Sequence, residues 1–156
     1  MPLGAQIDPD AFKIIFIDVA LAQAVLGLDI TEWLLSTDQS WINKGEVVEA
    51  FVGQELLAYS RSLQKQQLYY WLRNERTAQA EVDYVIALKQ SIIPIEVKSG
   101  VGSTLKSMHV FLKNHPQSPF GIRFSVQNYS VFETVYSYPL YAVCMAVKSD
   151  VAMLLK

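Results

Sequence analysis

The chain has 156 residues, of which 51% are hydrophobic and 18% are charged, and this balance excludes a disordered protein and favours one folded domain. The formal net charge of −2 excludes a global basic field, so any contact with a polyanion requires local lysines or a bound cation. The single cysteine, Cys144, excludes an intramolecular disulfide and a multi-cysteine zinc site, and a reducing, cytoplasmic setting is expected.

The N-terminal part of the chain is apolar but irregular. Residues 1–11 contain two prolines and no hydrophobic periodicity, which is typical of a linker or of an added start. Residues 12–19, FKIIFIDV, are strand-like, and residues 20–35 have helical spacing with a break at Gly27. Charged and polar residues interrupt this stretch before it reaches the about 20 apolar residues of a membrane helix. No membrane span and no membrane partner is therefore expected.

Residues 44–60 carry the clearest helical signal. Apolar side chains recur there at intervals of three and four residues, which predicts an amphipathic helix with one face on the core. After a glutamine-rich bend, residues 68–73, LYYWLR, are aromatic and strand-like. Residues 81–88 and 91–98 follow as two further strands, and the short turn between them predicts a hairpin.

Each strand of this hairpin has a predicted pair of faces. In the first strand, strict alternation places on one face Val82, Tyr84, Ile86 and Leu88, and on the other Glu81, Asp83, Val85 and Ala87. In the second strand, it places on one face Ile93, Ile95 and Val97, and on the other Pro94, Glu96 and Lys98. Glu96 and Lys98 are thus expected side by side.

The next segments are a helix and a strand. Residues 104–115 carry one apolar stripe, made of Leu105, Met108, Phe111 and Leu112. Two prolines end this helix, and residues 120–126, FGIRFSV, form the next strand. The segment after residue 126 is left unassigned. From residue 44 to residue 126 the order is helix, strand, strand, strand, helix, strand, which is typical of an α/β domain.

Four polar residues of this outline can carry chemistry: Glu49, Asp83, Glu96 and Lys98. As hairpin neighbours, Asp83 and Glu96 are expected to lie opposite each other on one face. Their carboxylates would repel in a dry site, but a divalent cation between them removes the repulsion, and Mg²⁺ binds one or two carboxylates and keeps water ligands. Such a metal acidifies a bound water and neutralises phosphoryl charge, while the Lys98 ammonium orients that water or stabilises the transition state. The set predicts metal-assisted cleavage of a phosphodiester with Mg²⁺ or Mn²⁺.

This arrangement resembles the PD-(D/E)xK nuclease superfamily, because Asp83 is followed at a hairpin's distance by Glu96-Val97-Lys98 in that element order. The resemblance implies a DNA nuclease in which Asp83 and Glu96 bind the metal, helped by the Val97 carbonyl. It implies that Lys98 positions the water and that Glu49, from the first helix of the core, supports the site.

The same resemblance implies an α/β fold with a restriction-endonuclease-like core, in which a mixed central sheet is flanked by helices. Residues 12–156 would form the single domain, with its core at residues 44–126.

A closer resemblance covers residues 12–143. The chain is similar there to the uncharacterised C-terminal domain of a family of prokaryotic AAA+ ATPases, through the segments FKIIFIDVAL, KGEVVEAFVGQELL, LYYW, AEVDYVI, IPIEVKSG and SYPLYAV. This resemblance implies an ATPase domain, normally joined upstream, as a partner.

The chain departs from these patterns in two places. The string GVGSTLKS at residues 100–107 lacks the glycine-lysine spacing of a phosphate loop, so Lys106 is not a nucleotide-binding lysine. The ATPase half is absent, which fits an isolated domain of a longer protein or a stand-alone copy. Val82 precedes Asp83 where the superfamily signature has proline, a position at which that superfamily varies.

Simpler readings remain open for each candidate, and Asp83 could be a polar residue on the exposed face of a half-buried strand. Glu96 and Lys98 alone would form a surface ion pair. Glu49 could belong to a solvated helix face, as could Glu46 or Glu55, and Glu81 could be an edge charge or an additional ligand. A basic rim for DNA could be built from Arg61, Lys65, Arg73, Arg76, Lys106, Lys113 and Arg123. The alternative functions are a non-catalytic interaction or regulatory module of an ATPase, and DNA binding without cleavage.

Overall fold

The computed structural model of the protein describes residues 3–25, 27, 44–59, 67–75, 78–88, 90–100 and 104–148. The helices in these ranges are α1 (Val19–Val25), α2 (Lys44–Ala58), α3 (Lys106–Asn114) and α4 (Val143–Lys148), with short 3₁₀ helices at Leu3–Gln6 and Leu140–Ala142. The strands are β1 (Tyr69–Glu75), β2 (Ala78–Leu88), β3 (Ser91–Lys98), β4 (Gly121–Ser125), β5 (Ser130–Phe132) and β6 (Val135–Pro139).

The six strands form one mixed sheet in the order β1-β2-β3-β4-β6-β5. The β1–β2 and β2–β3 pairs are antiparallel, as is the β5–β6 pair at the other edge. The β3–β4 and β4–β6 pairs are parallel, so three strands run in the same direction at the centre. The predicted order of elements from α2 to β4 is confirmed, and so is a mixed sheet flanked by helices.

Two hydrophobic clusters bury the two faces of the sheet. The larger cluster joins α2 and α4 to one face, through Val52, Leu56, Tyr84, Ile93, Ile95, Val97, Phe120, Ile122, Phe124, Val143 and Ala146. The smaller cluster lies on the other face, where Phe111 of α3 contacts Val82 and Val85 of β2. The α3 stripe predicted from helical spacing is therefore the face that packs on the sheet, because Met108 and Phe111 are both buried.

The predicted strand at residues 12–19 is wrong. Residues 11–16 lack regular secondary structure, and the segment ends where the Asp18 carboxylate accepts a hydrogen bond from the Leu21 N–H at 2.9 Å. That bond caps the N-terminus of α1, which begins at Val19. The apolar pattern is strand-like, but no described strand pairs with this segment.

The residues predicted as a linker take part in the fold, since Leu3 packs against the smaller cluster. The helical spacing from residue 20 is confirmed as far as Val25, and Gly27 adopts a positive φ of 70°. The prediction for residues 28–35 lies outside the described residues. In the described ranges, no helix has the length and apolar character needed to cross a bilayer.

Candidate functional site

A β-bulge in β2 sets the position of Asp83. The register of β1 and β2 pairs Tyr69 with Val85 but Trp71 with Val82, so Asp83 and Tyr84 together oppose a single residue of β1. A bulge of this kind bends the strand and turns its side chains away from strict alternation. Bulges are over-represented beside active sites, and this one contains the candidate aspartate.

The bulge overturns the predicted faces of β2. Val82 and Val85 pack in the same cluster with Phe111, although alternation predicts that they lie on opposite faces. Tyr84 packs in the larger cluster on the other side of the sheet. The extra residue changes the parity of the strand, which the alternation of apolar and polar residues does not reveal.

The strands β2 and β3 separate next to this bulge. Their antiparallel ladder runs from Leu88–Ser91 to Tyr84–Ile95 and then ends. Asp83 and Glu96 would be the next pair, but they are not ladder partners, which differs from the prediction. Instead, the Val97 N–H donates a hydrogen bond to Oδ2 of Asp83 at 2.7 Å. The carboxylate thus takes the place of a backbone acceptor at the fork between the strands, which holds Asp83 beside Glu96 and Val97.

Glu96 and Lys98 lie on one face of β3, as predicted. Ile95 and Val97 belong to the larger cluster, so alternation puts Glu96 and Lys98 on the face that α3 covers. Lys98 Nζ donates to Glu96 Oε1 at 2.6 Å, and only 4% of Glu96 is exposed. The simpler reading as a surface ion pair is wrong for Glu96. Its second oxygen, Oε2, is buried and has no hydrogen-bond partner.

Burial and like charge raise the proton affinity of both acids. Burial is the larger cause and the Glu96 carboxylate the next, and together with Glu49 they raise the pKa of Asp83 to about 7 against the Val97 hydrogen bond. Burial also raises the pKa of Glu96, although Lys98 opposes the change. A pair of acids that resists losing both protons is stabilised when a cation binds between them.

Glu49 reaches the same region from α2. The carbonyl oxygen of Glu49 accepts a hydrogen bond from the Tyr84 hydroxyl at 2.8 Å, which ties α2 to the bulge. The Glu49 carboxylate is close enough to raise the pKa values of both Asp83 and Glu96. The structure therefore places Asp83, Glu96 and Lys98 together at the fork, and Glu49 lies within electrostatic range of the two acids.

Lys13 is a residue of this region that the sequence analysis does not identify. Its Nζ lies 2.8 Å from Glu49 Oε1 and 2.5 Å from Glu81 Oε1, and it also lies 5.1 Å from the centroid of the Tyr70 ring. Burial would lower the pKa of Lys13, but the two glutamates outweigh it and the pKa is raised. Glu49 and Glu81 are thus both paired with the Lys13 ammonium. The lysine lies in the irregular N-terminal segment, and no spacing signal connects it to α2 or β2.

A cleft of about 260 Å³ lies between this N-terminal segment and α2. Lys13, Glu49 and Tyr84 line it together with apolar side chains, among them Ile15 and Val47. Glu49 is therefore next to an open groove with largely apolar walls, whereas Asp83, Glu96 and Lys98 do not line this cleft.

Asp83 and Glu96 are the two carboxylates that a divalent cation in this region would use as ligands. Within the described ranges, no group of three or more His, Cys, Asp or Glu side chains is arranged to hold a metal ion. Mg²⁺ does not require such a group, because it usually takes one or two carboxylates and completes its octahedron with water. The unpartnered Oε2 of Glu96 and the raised pKa of Asp83 are the features that a bound cation would relieve.

The predicted basic rim is corrected at one position. Arg123 is buried, with 6% of its surface exposed, so it does not belong to an exposed rim. Arg61, Lys65 and Arg76 lie outside the described residues, while Lys106 and Lys113 are exposed on α3.

The comparisons with known proteins identify a family. No curated protein and no solved structure matches the chain. The model of DUF4143, described as a domain of unknown function, matches residues 44–143, which is more than half of the chain. The matched range includes α2, β2 and β3, and therefore all four predicted site residues. The fork and its acids thus lie within the matched range, and the chain belongs to the DUF4143 family.

Proposed function

We propose that this domain is a metal-dependent DNA nuclease with a restriction-endonuclease-like core of the PD-(D/E)xK type. One observation carries the proposal: the Asp83 carboxylate is fixed by the Val97 N–H at the fork between β2 and β3, beside the buried Glu96 and its partner Lys98. These residues are the aspartate, glutamate and lysine of the sequence motif. The order of elements from α2 to β4 supports the same reading.

Asp83 and Glu96 would hold Mg²⁺ or Mn²⁺, with the Val97 carbonyl as a further ligand. When bound, the ion supplies Lewis acidity for a water molecule and neutralises charge on a phosphoryl oxygen. The protein fixes the geometry, because one oxygen of Asp83 is anchored to the backbone and one oxygen of Glu96 to Lys98.

Lys98 would act on the attacking water and on the crowded phosphoryl group. Its ammonium is compact and sits on a flexible stem, and about a third of the side chain is exposed, so it reaches both Glu96 and solvent. Glu49 would support the site from α2, with its backbone held by Tyr84 and its carboxylate by Lys13.

DNA cleavage tests this proposal. The protein is incubated with single-stranded, double-stranded and branched DNA in the presence of Mn²⁺, beside Asp83→Ala and Lys98→Ala, with Lys113→Ala on exposed α3 as the matched control. Cut product is expected from the wild type and the control, and a loss of at least about 100-fold is expected in both site variants. Equal cutting by the wild type and Asp83→Ala would exclude the proposed site.

A second candidate function is a non-catalytic interaction or regulatory module of an ATPase, the partner that the resemblance above implies. The exposed apolar side chains of the N-terminal segment favour it, since Phe12 and Ile14 are each 73% exposed and Ile17 is 93% exposed. Metal binding without cleavage of any of the three DNA forms would support this candidate over the nuclease.

A further inference from the structure

A row of buried polar side chains crosses three neighbouring strands. Ile122 and Phe124 of β4 pack in the larger cluster, so Arg123 between them lies on the face that carries Glu96. Arg123 is the register partner of Glu96 in β3 and of Ser137 in β6. All three residues are buried, with 4% of Glu96, 6% of Arg123 and 6% of Ser137 exposed.

The row lies toward the carboxyl ends of parallel strands. Strands β3, β4 and β6 run in the same direction. Two residues beyond the Glu96–Arg123 pair, toward the carboxyl ends, Lys98 of β3 pairs in register with Ser125 of β4. In α/β sheets, ligands bind preferentially at the carboxyl ends of parallel strands. Two cations and two hydroxyl groups are thus gathered where the fold tends to bind ligands.

Arg123 has donors that nothing in the described structure satisfies. Its Nε and Nη2 atoms are buried without a hydrogen-bond partner, and so is Oε2 of Glu96 on the neighbouring strand. A guanidinium stays charged at every physiological pH, and buried donors left unpaired destabilise a folded protein. A purely structural arginine at this position would be expected to pair with the adjacent glutamate. The two side chains instead leave complementary atoms buried and unpartnered.

We infer that Arg123 is the anion-binding residue of a phosphate subsite beside the carboxylates, formed with Lys98, Ser125 and Ser137. The guanidinium presents a planar fork of donors that matches two phosphate oxygens, and this geometry is why arginine is favoured for phosphate. The ligand is a phosphodiester of DNA, an identity that rests on the proposed function.

The negative charge of Glu96 makes phosphate binding at Arg123 depend on a bound cation. An ionised Glu96 carboxylate would repel a phosphate that bound alone. A divalent ion on Glu96 Oε2 would instead attract the phosphate through its positive charge. A metal and a phosphate together satisfy every unpartnered atom of the row: the ion takes the Glu96 oxygen, and the phosphate takes the Arg123 donors. Arg123 binds substrate in this account and holds it next to Lys98.

DNA binding in Ca²⁺ tests the inference without depending on turnover. Fluorescence anisotropy of a labelled DNA duplex, checked on a gel for integrity, gives Kd and its salt dependence for the wild type, Arg123→Met and Arg123→Lys. Lys113→Met, which removes an exposed cation from α3, is the matched control. A second series uses inorganic phosphate as the probe, and melting curves report folding.

Arg123→Met is expected to weaken DNA binding by about tenfold or more and to reduce the slope of log Kd against log salt by about one. Arg123→Lys keeps the charge but loses the fork, so it should bind with intermediate affinity and keep the wild-type slope. The control removes one exposed charge that could belong to the basic rim, so it should weaken DNA binding clearly less than Arg123→Met does. Since Arg123→Lys preserves the charge, its affinity decides the case if Arg123→Met does not fold.

Three results would overturn the inference: wild-type affinity in either Arg123 variant, an equal loss in Lys113→Met, or a wild type that binds neither DNA nor inorganic phosphate. Arg123-dependent binding without cleavage in Mn²⁺ would support the subsite and refute the nuclease. Cleavage that Arg123→Met leaves unchanged would support the nuclease and refute the subsite.

Discussion

At the scale of single residues, Asp83 has a strongly shifted proton equilibrium. Burial and the Glu96 carboxylate raise its pKa from 3.8 to about 7. Because the folded-state pKa lies above the unfolded-state value, folding favours the protonated carboxyl. The stabilisation is complete below the unfolded-state pKa and is lost as pH rises through the folded-state pKa.

The free energy of unfolding should therefore fall as pH rises between about 4 and 8, by on the order of a few kcal/mol. Asp83→Asn keeps an oxygen that can accept the Val97 hydrogen bond but removes the charge, so its stability should depend less on pH. Part of the fall should remain, because Glu96 has a raised pKa as well. Urea denaturation of both proteins across this range provides the measurement. Parallel pH profiles would show that the Asp83 charge is not buried as described.

At the scale of elements, the contact between α2 and the bulge depends on a glycine. A Cβ atom on Gly53 would lie 2.5 Å from the Tyr84 hydroxyl oxygen and 2.9 Å from Ile15 Cδ1. The missing side chain lets α2 approach the bulge closely enough for Tyr84 to reach the Glu49 carbonyl. Gly45, in the same helix, has open space around it.

Gly53→Ala should lower the free energy of unfolding by about 1–3 kcal/mol, because the added methyl group overpacks this contact. Gly45→Ala is the matched control and should be neutral or stabilising by up to about 1 kcal/mol, since alanine favours the helix. Chemical denaturation of the two variants measures both values. If Gly53→Ala were as stable as Gly45→Ala, the close approach of α2 to Tyr84 would be contradicted.

The elements also show how far sequence patterns reach in this chain. The amphipathic α2, the α3 stripe and the β2–β3 hairpin were predictable because their apolar periods extend over whole elements. The bulge at Asp83 was not, since an extra residue is specified by the β1–β2 register and leaves the composition of β2 unchanged. The pairing of Lys13 with Glu49 and Glu81 was not predictable either, because it joins three distant segments through tertiary contacts.

At the scale of the whole molecule, the site lies where the sheet changes from antiparallel to parallel pairing. The antiparallel hairpin of β2 and β3 ends at the same place where β3 pairs with β4 in parallel. Asp83 comes from the antiparallel side of this junction and Arg123 from the parallel side, with Glu96 between them. The short β5, β6 and α4 complete the sheet and core beyond residue 126, where the sequence carries no extended period to predict them.

Metal binding by the intact chain tests the central claim most directly, since it needs no knowledge of the substrate. Isothermal titration calorimetry with Mn²⁺ compares the wild type, Asp83→Asn and Glu96→Gln, with Lys113→Met as the control. A single site is expected in the wild type and in the control, and loss of binding is expected in both site variants while their melting curves remain cooperative. A wild type that binds no Mn²⁺, or site variants that bind it as tightly as the wild type, would contradict the claim that these two carboxylates hold a metal.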